Sequence, residues 1–193
     1  MKSKEEYERE AQKAFPTKVF NTIFKDRVAQ VQDFFASGRY QELGSHLVWL
    51  VDQDAETNKM ELHLIVPQYE SNTSIQEAMF GLGYLARRKN LRPLAVFAST
   101  ENWMVDTKEP IDIPPSEHPD RQECLTITGL TIDKRVNLAR FRINRKSDSV
   151  TLEEPLCVMC DELDSDATVV PNLLIQFYMG YAEGIKEESL SAN

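Results

Sequence analysis

The stretch ECLTITGLTIDKRVNLARFRINRKSDSVTLEEPLCVM, from Glu123 to Met159, decides the fold of this protein. Three runs within it, Glu123–Leu130, Arg135–Arg145 and Val150–Met159, have the length and the apolar, β-branched composition of strands. Short polar turns separate the runs, and turns of this kind join neighbouring strands into antiparallel pairs. The stretch therefore predicts a three-stranded antiparallel meander.

A strand, a helix and a second strand precede the meander. Met60–Val66 alternates in the manner of a half-buried strand, whereas Leu94–Val105 is apolar on both faces and predicts a strand in the centre of the sheet. Between them, Ser74 and Glu77 fit a capping box that begins a helix. A strand–helix–strand order of this length favours a right-handed crossover between parallel strands. One more strand, His46–Asp52, is predicted before this unit.

Helices are predicted at both ends of the chain. Lys2–Ala14 is charged along most of its length, and a second helix runs from an N-cap at Thr17 to Gly38 with an apolar stripe at helical spacing. A final helix runs from Pro171 to about Glu187. It is apolar on nearly all sides, which is typical of a helix buried on more than one face.

Together these elements predict an α+β fold. We expect a mixed, mostly antiparallel sheet of about six strands with helices packed on it, built from one βαβ crossover, the three-stranded meander and the C-terminal helix. The chain is expected to form a single domain over residues 1–193, with a helical N-terminal segment at 1–38 and an α+β body at 39–193.

The composition argues against several classes of protein. The formal net charge is −9, and a surface this acidic repels the phosphates of a nucleic acid. No apolar run approaches the roughly 20 residues that span a bilayer, and the charged N-terminal residues do not have the pattern of a signal peptide. The 3 cysteines form no even disulfide framework. These features predict a cytoplasmic protein that binds neither nucleic acid nor membrane.

A proline-rich loop, residues 106–123, is the candidate functional site. It contains four of the 9 prolines, and long ordered loops of this kind are often functional. Its polar side chains could bind an anionic group, act as a general base or ligate a metal. The alternative is a rigid loop in which Arg121 is held between Asp120 and Glu123. The candidate ligand-binding residues are Trp103, Glu117, His118, Asp120, Arg121 and Glu123.

The cysteines do not predict a metal or redox centre. Cys157 and Cys160 form a lone CxxC that is followed by acidic residues, whereas a reactive thiolate needs cations or a helix N-terminus beside it. A zinc site would also need Cys124 and His118, and only the fold could bring them together. Two strand-end cysteines without a special role are favoured. No metal and no cofactor are predicted.

Two segments of the chain resemble a small uncharacterised family of bacterial and phage-associated proteins. They are ENWM, residues 101–104, and PSEHPDRQE, residues 115–123, which are similar to an EAWM-like segment and a PSExPDRxE-like segment on the following strand. The similarity extends over Ala95–Gly129, and this chain has Asn102 where alanine is usual. The resemblance implies a shared architecture and, because the function of the family is unknown, no mechanism.

Two classes of function follow from the sequence. The first is a non-catalytic interaction or structural module that self-associates into a homo-oligomer, most simply a dimer, through the apolar final helix. The second is a small-molecule enzyme with an acid/base or metal site on loop 106–123. The sequence favours the first class, because no catalytic motif in it is complete.

Overall fold

A computed structural model describes residues 13–39, 46–54, 57, 59–66, 72–106, 112–146, 149–160 and 172–191. The predicted helix Lys2–Ala14 lies outside these residues except for its last two, which are helical. The predicted helix start at Pro171 also lies outside them. The elements are α1 (Thr17–Ala36), β1 (His46–Gln53), β2 (Met60–Ile65), α2 (Asn72–Arg88), β3 (Pro93–Met104), a 3-10 turn (Pro115–Glu117), β4 (Gln122–Thr131), β5 (Val136–Lys146), β6 (Ser149–Leu152), β7 (Leu156–Val158) and α3 (Asn172–Ser191).

The described helices pack on one antiparallel sheet, which confirms the predicted α+β class. The strand order is β2-β1-β3-β4-β5-β6, and β7 also pairs with β5. β3 therefore lies in the interior of the sheet, as its apolar faces predict. Its first seven residues, Pro93–Ser99, are all buried.

Strand β1 lies between β2 and β3 and is antiparallel to both. β2 and β3 thus run in the same direction on either side of α2, as in the predicted crossover, but they are not neighbours. The short polar connection makes β1 the hairpin partner of β2, and the longer connection through α2 carries β3 to the other edge of β1. The sheet is consequently antiparallel in each described pairing rather than mixed.

The predicted meander is confirmed, with its third strand divided in two. β4 pairs with β5, and both β6 and β7 pair with β5 on its other side. Pro155 lies immediately before β7, and proline has no N–H to contribute to a ladder of hydrogen bonds. This residue explains why the predicted run Val150–Met159 is not one continuous strand.

Helix α1 covers one face of the sheet. Its buried apolar stripe packs on side chains of odd-numbered residues in the central strands. In this contact the ring centroids of Phe20 and Phe97 are 5.5 Å apart. Pro16 occupies the N-cap position, so the predicted Thr17 N-cap is wrong. The Thr17 hydroxyl instead accepts a hydrogen bond of 3.1 Å from Nη1 of Arg135. A tertiary contact has therefore replaced the local cap.

Helices α2 and α3 cover the other face and pack closely on each other. α2 begins at Asn72, so Ser74 lies inside the helix, and the predicted capping box does not begin it. Gly83 of α2 faces the backbone of Phe177, and Gly180 of α3 faces the backbone of α2 in the same way. The predicted C-terminal helix is confirmed as α3. None of the described helices combines the length and the apolar composition that crossing a membrane requires.

Candidate functional site

A cleft of about 600 Å³ lies beside the C-terminal end of β3 and the start of β4. The 3-10 turn and the first turns of α2 and α3 also border it. β1 pairs with β3 as far as Thr100, whereas β3 continues beside β4 to Met104. Within the described residues, one edge of β3 is therefore unpaired beyond Thr100, and this edge forms a wall of the cleft. The lining residues are Ile75, Gln76, Thr100, Glu101, Asn102, Trp103, Pro115, Ser116, Glu123, Asn172 and Leu173.

Glu101 and Glu123 are the charged residues that line the cleft. Strand alternation puts both of them, and Arg145 of β5, on the face of the sheet that carries α1. Arg145 donates two hydrogen bonds of 2.7 Å to the Glu123 carboxylate, from Nε and Nη2, and one of 3.1 Å from Nη2 to Glu101. The guanidinium of Arg145 thus forms ion pairs with both carboxylates.

Ionisation of the Glu101 carboxyl group is disfavoured in the cleft. Burial raises the pKa of Glu101, the Arg145 guanidinium lowers it, and the neighbouring Glu123 raises it further. Because a nearby cation favours the ionised form of a carboxyl group, a second cation bound in the cleft would stabilise ionised Glu101. The cleft is therefore suited to a positively charged ligand.

Trp103 is 43% exposed at the cleft and contacts Arg121. The guanidinium carbon of Arg121 lies 5.1 Å from the centroid of the indole ring, and Nη1 donates a hydrogen bond of 2.9 Å to the carbonyl oxygen of Ser116. Within the described residues Arg121 forms no ion pair with Asp120 or Glu123, so the predicted alternative for this side chain is wrong. Arg121 joins the 3-10 turn to β3 instead.

The other predicted site residues do not line the cleft. Nδ1 of His118 accepts a hydrogen bond of 3.1 Å from the backbone N–H of Asp120, an arrangement that stabilises the turn after the 3-10 helix. Glu117 and Asp120 are exposed. Of the six candidates, Trp103 and Glu123 line the cleft and Arg121 packs on Trp103.

On the opposite face of β3, Asn102 forms hydrogen bonds with two residues of β4. Its Nδ2 donates to Oγ1 of Thr126 at 3.1 Å, and the Cys124 thiol donates to its Oδ1. Burial raises the pKa of the Cys124 thiol, and Arg140 and the hydrogen bond with Thr126 partly offset this effect. An alanine at position 102 could form neither hydrogen bond. The Asn102 side chain therefore joins β3 to β4.

The two cysteines of the CxxC occupy different environments. Cys157 is exposed on β7, whereas Cys160 is half-buried and its backbone N–H donates a hydrogen bond of 2.7 Å to Oδ1 of Asn137. In the part of the chain that the structure describes, no group of three or more potential metal ligands includes a cysteine. The cysteines are thus not brought together with Cys124 and His118.

A second cavity, an apolar groove of about 640 Å³, runs along α3 beside the turn between β4 and β5. The sheet-facing side of α3 is buried, whereas Met179 and Ile185 on another side are 52% and 43% exposed. The residues that line the groove are Leu130, Thr131, Ile132, Lys134, Val136, Ile175, Tyr178, Met179, Tyr181, Ala182 and Ile185.

Sequence reasoning misses Glu101 and Arg145 as members of the site. They are 44 residues apart, and only the pairing of three strands brings them together. One signal was present for Glu101, because it is the charged residue inside the otherwise uncharged run Leu94–Met104. No comparable signal marks Arg145, which is one of several basic residues in β5.

Comparisons with protein families, with curated proteins and with solved structures found no match to the chain. The resemblance over residues 95–129 therefore stays a prediction.

Proposed function

We propose that this protein is a non-catalytic interaction module whose cleft binds a positively charged group, either an arginine or lysine side chain of a partner protein or a small organic cation. The observation that carries the proposal is the charge of the lining. Both charged lining residues, Glu101 and Glu123, are carboxylates, and they share the guanidinium of Arg145. A cationic ligand would supply the second positive charge.

Trp103 offers such a ligand a second contact. Cations bind over aromatic rings, and the interaction is worth about 0.5–1 kcal/mol at exposed sites. The 43% exposure of Trp103 leaves indole surface accessible even though Arg121 lies beside the ring. The net charge of −9 would also attract a cation at long range.

Catalysis is less well supported than recognition in this cleft. General acid catalysis uses a carboxyl group with a raised pKa, and Glu101 has one. Glu123 is held by two hydrogen bonds from Arg145, and the described lining contains no histidine or cysteine that could act as base or nucleophile. Glu101 would therefore act without a catalytic partner from this lining.

The proposal can be tested by tryptophan fluorescence. The protein has 2 tryptophans, and because Trp49 is fully buried, acrylamide quenching reports mainly on Trp103. Acetyl-arginine amide is expected to protect Trp103 from quenching at constant ionic strength, whereas the uncharged acetyl-citrulline amide is not. Glu101→Gln should weaken binding about tenfold, the equivalent of about 1.4 kcal/mol.

Glu117→Gln is the matched control, because Glu117 is an exposed carboxylate on the same loop and does not line the cleft. It should bind the arginine probe as the wild type does. Equal protection by the citrulline probe, or unchanged binding by the Glu101 variant, would contradict the proposal. If flanking residues in longer arginine peptides increase affinity, the ligand is a protein side chain; if methylguanidine binds equally well, it is a small cation.

We also propose that the protein self-associates through the groove along α3. Met179 and Ile185 expose apolar surface at a groove whose other lining residues are mostly apolar. In an isologous dimer each copy presents the same patch, so Met179 of one copy would enter the groove of the other. This arrangement would cover the side of α3 that the sheet leaves exposed.

Light scattering over a range of protein concentrations tests self-association. We expect a dimer for the wild type and a monomer for Met179→Glu, because a charge would be buried without a partner at the interface. Leu156→Glu is the control, since Leu156 is 63% exposed on β7 and does not line the groove. A monomeric wild type at all concentrations, or equal dissociation by both substitutions, would contradict an interface at α3.

We further propose a cytoplasmic location. No disulfide joins the three cysteines, and thiols persist in a reducing compartment. Recovery of the native protein from a secreted fraction would contradict this location.

A further inference from the structure

Strands β1 and β2 bring three potential metal ligands together on one face of their hairpin. Asp52 pairs directly with Glu61, and His63 lies two residues further along β2, so strand alternation puts all three on the same side. Their ligand atoms all lie within 4.8 Å of one another. Asp52 pairs with Pro93 at the start of β3, so this cluster is at the opposite end of that strand from the cleft.

The distances around His63 are close to those between two ligands of one metal ion. Nε2 of His63 is 2.8 Å from Oδ1 of Asp52 and 3.8 Å from Oε2 of Glu61. First-row divalent ions bind imidazole nitrogen and carboxylate oxygen at about 2.0–2.2 Å, so two ligands of one ion are about 3.0 Å apart at a right angle and about 4.2 Å apart when opposite. Small side-chain adjustments would accommodate an ion between these atoms.

Burial of Asp52 gives the cluster an electrostatic reason to bind a cation. The Asp52 side chain is 5% exposed, and the one described group that hydrogen-bonds to it is Nε2 of His63. The carboxylate of Glu61 approaches the same nitrogen. A single N–H can satisfy one carboxylate, whereas a divalent ion can bind both carboxylates and the imidazole together.

We propose that Asp52, Glu61 and His63 form a binding site for a divalent transition-metal ion such as Zn²⁺ or Mn²⁺. The ligands are Nε2 of His63 and one oxygen from each carboxylate, and water completes the coordination on the exposed side. Imidazole suits transition metals, whereas Ca²⁺ and Mg²⁺ prefer oxygen ligands alone. The bound ion would tie the edge strand β2 to β1.

The sequence contained a signal for this site, which the prediction of Met60–Val66 as a strand did not use. Glu61 and His63 are two residues apart in β2, and the hairpin partner supplies Asp52 opposite Glu61. The hairpin register, which sequence alone does not determine, converts this spacing into a three-ligand cluster. The site does not depend on the proposed function of the cleft.

Calorimetric titration of chelator-treated protein with Zn²⁺ and with Mn²⁺, with Ca²⁺ as the comparison ion, tests the proposal. We expect one transition-metal ion per chain, bound at least about tenfold more weakly by His63→Ala and by Glu61→Gln. Glu61 is 60% exposed, so its substitution keeps the test valid even where the His63 variant fails to fold. His118→Ala, which removes a histidine outside the cluster, should bind the metals as the wild type does.

Three results would overturn the metal site. The first is no binding of either transition metal to folded wild-type protein. The second is equal affinity for Ca²⁺, which would point to nonspecific attraction by carboxylates. The third is Zn²⁺ binding that Cys157→Ser abolishes and His63→Ala leaves unchanged, which would assign the ion to the CxxC.

Discussion

The guanidinium carbon of Arg121 lies 5.1 Å from the centroid of the Trp103 ring, so the loop that follows β3 is attached to the end of β3 itself. The hydrogen bond from Arg121 to the carbonyl oxygen of Ser116 extends the attachment to the 3-10 turn. Pro115 and Ser116 of this turn line the cleft beside Trp103. The shape of the cleft therefore depends on a side chain that does not line it.

Arg121→Ala should lower the melting temperature by roughly 2–4 °C, the shift expected for about 1 kcal/mol in a protein of this size. It should also increase acrylamide quenching of Trp103, because the ring loses its cover. Arg142→Ala is the control: it removes a solvent-exposed ion pair of 3.2 Å with Asp106 and should change the melting temperature less. Unchanged quenching in the Arg121 variant would show that the contact does not cover Trp103.

Arg145→Gln should destabilise the protein more at neutral pH than at about pH 5. The folded-state pKa of Glu101 is raised above its ordinary value of 4.5, so ionisation of Glu101 opposes folding as the pH rises through that pKa. Loss of Arg145 would raise this pKa further, and the resulting penalty would fade as the pH falls toward 4.5. Urea denaturation at the two pH values measures the difference in the free energy of unfolding.

Adding Glu101→Gln to Arg145→Gln provides the check on that explanation. Because the double variant has no ionisable group at position 101, it should recover part of the stability lost at neutral pH. A double variant that is as unstable as the single Arg145 variant at neutral pH would show that Glu101 is not the group responsible.

Gly83→Ala should destabilise the protein, whereas Gly81→Ala in the same helix should stabilise it. A Cβ at Gly83 would clash with the backbone carbonyl group of Phe177, so α2 and α3 would have to separate. A Cβ at Gly81 has no neighbour within 4 Å, and alanine is favoured over glycine in a helix by about 1 kcal/mol. Overpacking typically costs about 1–3 kcal/mol. Thermal denaturation should thus give shifts of opposite sign, and shifts of the same sign would contradict the close packing.

The three cysteine thiols should differ in their reactivity toward a thiol reagent such as DTNB. Cys157 is exposed and should react first, whereas Cys124 is fully buried and should react only after unfolding. Burial also raises the pKa of Cys124, so raising the pH modestly should not make it reactive in the folded protein. Cys157→Ser should remove the fastest phase with little change in stability. Rapid labelling of Cys124 in the folded protein would contradict its position in the core.

Several elements of the fold could be predicted because their signals are local. The apolar faces of Leu94–Val105 predicted an interior strand, and short polar turns predicted that β4 and β5 would pair as neighbours. The final helix was predicted from Pro171 as a favourable first helical residue and from an apolar stripe at helical spacing. Strand alternation, helical periodicity and short turns all extend over a few residues. They can therefore be recognised in the sequence before any tertiary contact is known.

The candidate sites depend on pairings over longer distances. Arg145 reaches Glu101 because β3, β4 and β5 pair in one register, and Thr17 binds Arg135 rather than capping its own helix. The position of β1 in the sheet is set in the same way. β3 pairs with β1 rather than with β2, so β1 lies between the two strands.

The sequence by itself therefore determined where most of the described strands and helices lie along the chain and that β3 is buried. It did not determine the burial of β2, which was predicted to be half-buried, because Leu62 and Leu64 are 45% and 46% exposed. Only the tertiary structure decided that Glu101, Glu123 and Arg145 form one cluster and that Asp52, Glu61 and His63 form another. The physical reason is that a shift of one residue in strand register moves every side chain to the opposite face, and no local pattern specifies the register between strands far apart in the chain.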